Sequence, residues 1–283
     1  MGLITPLKHF DLDADRGKQL WRYLDFSRFI SLLHTRSLVA VRPDFLGDPW
    51  EGALTRPSVE SKLKDLPRND KDRNEFLARL MESMARPLRK YAVSCWHMHQ
   101  GESAAMWDLY SQRSSGIAVL SSVDRLLRSI DVGDHAAWIA TVRYLNYHRD
   151  EGADTPPDSL FQKRGAYSHE QEFRLVLGLS EPEAAAVQQN ASMEGRLWFV
   201  VRAEAAVTLG AGHMRPLGPA RGIAVPVDLD NLVEAIYVAP SVPLWGVELV
   251  NELLRRFGLK VEAIHSDVGT PPILAAMPAF IEP

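Results

Sequence analysis

Residues Val233–His265, VEAIYVAPSVPLWGVELVNELLRRFGLKVEAIH, decide the fold class. Val233 to Val238 is rich in β-branched and aromatic residues and reads as a strand, and Pro240 to Pro243 reads as a turn. Trp245 to Phe257 repeats apolar residues at helical spacing, and Lys260 to His265 returns to a strand pattern. A strand, crossover helix and strand in this order closes right-handed, with its strands parallel.

Upstream of this unit, strands and helices mix without a regular alternation. Gln19 to Tyr23 predicts a strand with Trp21 and Tyr23 on one face and Arg22 on the other. Asp25 or Ser27 caps a helix carrying Phe29, Ile30, Leu32 and Leu33, and Ser37 to Arg42 predicts a strand stopped by Pro43. Residues 58–90 are charged and Leu-rich and read as a helical insertion whose charges form the wet face. Further strands are predicted at Tyr91–His97, Gly116–Leu120, Ala137–Tyr144, Glu172–Leu179, Leu197–Val201 and Val225–Val227, with short helices at Ser103–Ser111 and Val123–Ile130. Asn146 to Ser159, rich in Asp, Gly and Pro, reads as a loop. The expectation is an α+β fold: a mixed or split β-sheet core flanked by helices, ending in a β–α–β unit at 226–283. Neither a repeat nor a linker divides residues 1–283, so one domain is expected.

A hydrophobic fraction of 46% and a charged fraction of 24% describe a globular chain and exclude global disorder. A net charge of −4 excludes the overall field of a strongly basic nucleic-acid binder. One cysteine, Cys95, excludes an intramolecular disulfide framework and fits a reducing compartment. The N-terminal residues lack the apolar run of a signal peptide, and no stretch reaches the roughly 20 apolar residues of a membrane span. A cytoplasmic location and no membrane partner are the expectations. Oligomeric state is not legible.

Residues suited to chemistry crowd into three blocks. The first, Arg22 to Glu51, combines Arg22 with Asp48 and Glu51 in the turn-rich run Asp44–Glu51. The planar fork of an arginine suits a phosphate or carboxylate; a surface Arg paired with one of these acids is the plainer reading. The second runs from Cys95 to Ser111. If it stays extended, Cys95, His97 and His99 project from one face, as a metal site needs. No second ligand pair is evident, so no metal is expected and a structural role is the plainer one. The third, Lys163 to Arg174, places Glu170, Glu172 and Arg174 on one face if the strand starts at His169. An exposed edge face is the plain alternative. The chain contains neither GxGxxG nor GxxxxGK[ST], and neither GxSxG nor HExxH, which removes the commonest nucleotide-binding and hydrolase readings.

These blocks together resemble a bacterial and phage family catalogued as a domain of unknown function, DUF2971. The resemblance rests on Trp21-Arg-Tyr23, Phe45-Leu-Gly-Asp-Pro-Trp-Glu-Gly52, Ser94-Cys-Trp, Glu102-Ser, Met106-Trp-x-x-Tyr110, Gly116-Ile, Lys163-Arg, His169-Glu-Gln-Glu-x-Arg174, and Ala239-Pro with Ser266 in the tail. Gly47 stands where the family often has Asn, which puts in doubt any role for an amide there. A weaker resemblance is to ADP-ribosyltransferases, which use an Arg or His on an early strand, a Tyr/Ser segment and a Glu opening a later strand. It implies NAD as co-substrate, with Arg22 on its pyrophosphate and Tyr110, beside Ser111, on its nicotinamide. Glu172 would stabilise the oxocarbenium charge, and Glu170 would serve a protein or nucleic-acid acceptor. Asp48, Glu51, Arg164 and Arg174 are the candidates for substrate binding, with Arg164 or Arg174 steering a polyanionic acceptor. Two alternatives stand beside this one. In the first, the Arg and Glu residues form a buried ion-pair network within a non-enzymatic ligand- or partner-binding module. In the second, Asp48, Glu51 and Glu170 hold a metal in a nuclease.

Overall fold

A computed structural model describes residues 3–64, 75, 79, 88–110, 115–180, 183–184, 215–216 and 222–269. The strand expected at Leu197–Val201, most of the 58–90 insertion and the end of the 226–283 unit lie outside them. The protein is α+β, with a mixed sheet flanked by helices. Among the described residues eleven strands join one sheet. Its main path runs β1 (Ile4–Pro6), β6 (Ala137–Thr141), β9 (Glu172–Gly178), β4 (Tyr91–His97), β2 (Gln19–Asp25), β5 (Gly116–Ser122), β12 (Ala235–Val238) and β13 (Ala263–His265). A branch leaves β4 through β3 (Ser37–Val41) to β11 (Gly222–Pro226) and β10 (Arg215–Pro216). β7 (Arg143–Leu145) and β8 (Gln162–Arg164) form a separate parallel pair.

Strand β9 sits between β4 and β6 and is buried on both faces. Phe173, Leu175 and Leu177 point into the main core, whereas Glu172 and Arg174 point the other way. Burying a Phe or Leu side chain contributes roughly 1.5–3 kcal/mol, so the apolar face anchors the strand. The polar face is then held where water cannot reach it.

β4 is where the sheet forks. It pairs with β9 along its whole length on one edge. On the other edge Val93 meets Val41 of β3, and His97 meets Trp21 of β2. The gap between β2 and β3 is filled by Arg22, as described below.

Helix α1 (Phe26–Thr35) follows β2 at once. Asp25 caps it by accepting from the Arg28 N–H at 2.8 Å, and Phe29, Leu32 and Leu33 bury one stripe against the sheet. Its exit needs the left-handed residue Arg36 at φ 46°. The tail forms the expected unit: β12 and β13 are parallel, with Ile236 opposite Ala263 and Val238 opposite His265. The Leu244–Arg256 helix buries Gly246, Val250 and Leu254 between them. The first strand of this unit starts two residues later than predicted. Asp228 caps a short helix, Leu229–Leu232, whose Leu229 carbonyl claims the Val233 N–H.

The strand predicted over Ala137–Tyr144 is two strands. At Val142 the N–H turns to the Glu172 carbonyl at 2.8 Å, and the chain leaves the main sheet to pair with β8. That departure brings Lys163 and Arg164 over the polar face of β9.

Candidate functional site

Cross-strand partners share a face of a sheet. His97 is opposite both Trp21 and Glu172, and Cys95 is opposite Arg174, so Trp21, His97, Cys95, Glu172 and Arg174 all lie on one side. Arg22, one residue from Trp21, lies on the other. Its Nη2 donates to the Val39 carbonyl at 2.9 Å and its Nη1 to Ser94 Oγ, with the guanidinium over the Trp96 ring. Burial lowers its pKa to about 10. Arg22 is therefore neither a clamp beside Glu172 nor a surface residue paired with Asp48 or Glu51. It stitches β2 to β3 and β4 across the fork.

On the opposite side a buried ionic network forms around Arg174. Its side chain has no solvent exposure. Nη1 donates to Glu51 Oε2 at 2.8 Å and to the Leu160 carbonyl at 2.6 Å. Nη2 donates to Glu51 Oε1 at 2.8 Å and to Glu172 Oε2 at 2.6 Å, and Nε donates to Glu172 Oε2 at 3.1 Å. A guanidinium has five N–H donors, and all five are used here. Lys163 closes the next link, with Nζ 2.6 Å from Glu170 Oε2 and 3.4 Å from Glu172 Oε2. Burial alone would raise the Glu172 carboxyl, but Arg174 and Lys163 outweigh it and hold the group at about 2. The same carboxylates raise Arg174 and Lys163 against the opposing effect of burial. The Cys95 thiol lies on the same face, opposite Arg174, and is raised by burial and by the nearby Glu172 carboxylate.

Loops deliver the partners. Glu51 comes from the run after the 3-10 turn Pro43–Phe45, bent at Gly47 and Gly52, both at φ +68°. The left-handed conformation at position 47 explains a glycine there. Asp48 Oδ1 accepts the Trp50 N–H at 3.1 Å, which fixes the loop between the two acids. Glu170 is not on the strand. It ends a 3-10 helix, Gly165–Glu170, and the chain reverses through Gln171 at φ 40° before β9 begins at Glu172. The expected common face of Glu170, Glu172 and Arg174 therefore holds for the last two only. Glu170 reaches the same place by a turn, with Lys163 as the bridge.

Tyr110, at the end of the Ala104–Tyr110 helix, packs its ring 5.1 Å from His97 and feels Glu170 and Glu172, which add to the effect of burial in raising its pKa. Ser111 lies outside the described residues. His97 Nδ1 donates to the Glu170 carbonyl at 2.8 Å, and burial lowers its pKa to about 4, so the ring is neutral near pH 7. His97 packs tilted against Tyr110 and edge-on against Tyr23, and the His99 ring stacks beside it with centroids 6.2 Å apart. Among the described residues no group of three or more His, Cys, Asp or Glu side chains converges as metal ligands. Asp48 faces Arg164, Glu51 faces Arg174 and Glu170 faces Lys163.

At the rim, Arg164 donates to Asp48 from Nη2 at 2.8 Å and from Nε at 3.4 Å, and Nη2 also reaches Tyr167 Oη at 3.2 Å. Its guanidinium lies over the rings of Trp50 and Tyr167. Sequence reading overlooked Trp50, Tyr144, Tyr147 and Tyr167. Tyr144 Oη accepts the Glu172 N–H at 2.8 Å, and Tyr147 packs edge-on against Trp50. The one available signal was aromatic residues recurring beside each charged block.

Compared with known proteins, the chain matches no family model and no curated sequence. No helix among the described residues is long and apolar enough to cross a membrane.

Proposed function

We propose that this chain is a non-enzymatic binding module, in which the Arg and Glu residues of the three blocks build a rigid scaffold under a ligand-binding rim. The observation that carries this reading is the saturation of Arg174: all five of its donors are spent inside the protein. A buried arginine in that state has nothing left for a substrate, and Glu172, neutralised by two cations, is poorly placed to stabilise a new positive charge. The likeness to DUF2971 is compatible with such a module and names no activity.

A second reading, NAD-dependent transfer of ADP-ribose to an unidentified protein or nucleic-acid acceptor, draws on one observation: Tyr110 and both glutamates share one side of the sheet. It lacks its phosphate clamp, because Arg22 faces the other way. The two readings separate on incubation with NAD. The module reading expects nicotinamide release no faster than a protein-free blank. Release that vanishes in a folded Glu172→Gln variant would establish the transferase instead.

A further inference from the structure

The Leu244–Arg256 helix has more apolar surface than the sheet covers. Gly246, Val250 and Leu254 form its buried stripe. Val250 and Leu254 join the core of Phe173 and Leu175, so the helix sits on the Arg22 side of the sheet, away from the ionic network. Trp245, Leu249 and Leu253 form a second stripe beside the first, at the same spacing of four residues. This one is open: Trp245 is 64% exposed, Leu249 is 43% exposed and Leu253 is half-buried. Among the described residues no other helix exposes two large apolar side chains one turn apart. Such a face marks an interaction surface.

The chain itself supplies an occupant. β13 runs parallel to β12, so it ends beside the turn that leads into the helix. There His265 Nε2 is 2.8 Å from the Val242 carbonyl oxygen, and Gly269 abuts Pro240, so that a Cβ on the glycine would stand 3.2 Å from the proline Cβ. The chain therefore passes from Gly269 into residues 270–283 at the end of the helix where the open stripe begins. Residues 270–283, TPPILAAMPAFIEP, lie outside the described ones. Their sequence holds five large apolar side chains, Ile273, Leu274, Met277, Phe280 and Ile281, and one ionisable one, Glu282. Extended chain lets Ile273 reach about 14 Å from Gly269 and Phe280 about 40 Å. The stripe from Trp245 to Leu253 is only about 12 Å long. Glu252, on its flank, already pairs with Arg255 and Arg256, so the helix calls for no highly charged partner. A segment tethered this close is present at the stripe at a millimolar effective concentration.

We propose that residues 273–281 dock on the Trp245–Leu249–Leu253 stripe of their own chain and cover it. This inference goes beyond the binding-module reading and does not depend on it. The test follows chymotrypsin cleavage after Leu274 and Phe280 in the full chain by mass spectrometry, with a free peptide of residues 270–283 as the unprotected reference. A docked segment is cut only in the fraction of molecules that have released it, so a rate at least about tenfold below the peptide's is expected. Leu249→Glu places a charge in the stripe at an already exposed position and is expected to raise the rate about tenfold, the size of one lost apolar contact. Trp245→Ser repeats the test without adding a charge. Arg255→Gln, on the far flank of the helix, should leave the rate unchanged. Urea unfolding of each variant checks that it remains folded. Cleavage as fast as the peptide's, or unmoved by both stripe variants, would overturn the proposal. So would a rate raised as much by Arg255→Gln. Protection that grows with protein concentration would overturn it too, because it would place the segment on a second copy.

Discussion

Arg174 and Arg164 stand on the same side of the sheet, and each is paired with an acid from the Asp48–Glu51 run, yet they are in opposite states. Arg174 lies on the central strand β9 under the Leu160 carbonyl and spends every donor. Arg164 lies at the end of β8, where the chain turns into the Gly165–Glu170 helix, and its Nη1 bonds to none of the described residues. The difference is one of position in the sheet, not of residue type. A charge on a strand covered from both sides must be closed by protein groups, because an open donor there has no water to fall back on. A charge at a strand end can be half closed, and the open half is what a ligand can use.

Neutralising the closed arginine has the largest expected effect. Arg174→Met leaves Glu51 buried without its cation and Glu172 with Lys163 alone, 3.4 Å away, and is expected to cost about 3–5 kcal/mol in urea unfolding at pH 7. Adding Glu51→Gln and Glu172→Gln to that variant should restore a large part of the loss, since no unpaired charge remains. If the triple variant is no better than the single one, the network does not act through charge.

Acid should weaken the same region. The Glu172 carboxyl is lowered to about 2 from 4.5, so its contribution is present above pH 4.5 and is lost as pH falls toward 2. The amount is on the order of 3 kcal/mol. His97, held at about 4 rather than 6.5, adds an earlier loss between pH 6.5 and 4, because the unfolded chain takes up the proton first. Unfolding free energy should therefore decline from pH 6.5 to pH 2, and Glu172→Gln should make the lower limb shallower.

A smaller effect is expected on the other face. Arg22→Met strands the Val39 carbonyl and Ser94 Oγ at the fork and should cost roughly 1–3 kcal/mol. Its cost should add to that of Arg174→Met in the double variant, since the two arginines face opposite ways and share no partner. A strongly non-additive loss would mean that the two faces communicate through β4.

Much of the fold was legible because its signals are local. The alternation in Trp21-Arg-Tyr23 gave both the strand and the opposite facing of Arg22, and the tail read directly as β–α–β. The site was half legible. Charge and aromatic residues marked the three blocks, but two global facts decided their roles. One is the fork in β4, which puts Arg22 and Glu172 on opposite faces although each begins or occupies a strand in the expected order. No local period encodes which strand pairs with which. The other is the left-handed Gln171, a non-glycine residue that ends the Gly165–Glu170 helix and takes Glu170 off the strand. Composition gives no warning of such a residue.

The most direct test unfolds Arg174→Met and Arg164→Met in urea at pH 7, side by side. A closed network under an open rim predicts a loss of about 3–5 kcal/mol for Arg174→Met and a much smaller change for Arg164→Met. Equal losses, or a stable Arg174→Met protein, would contradict it.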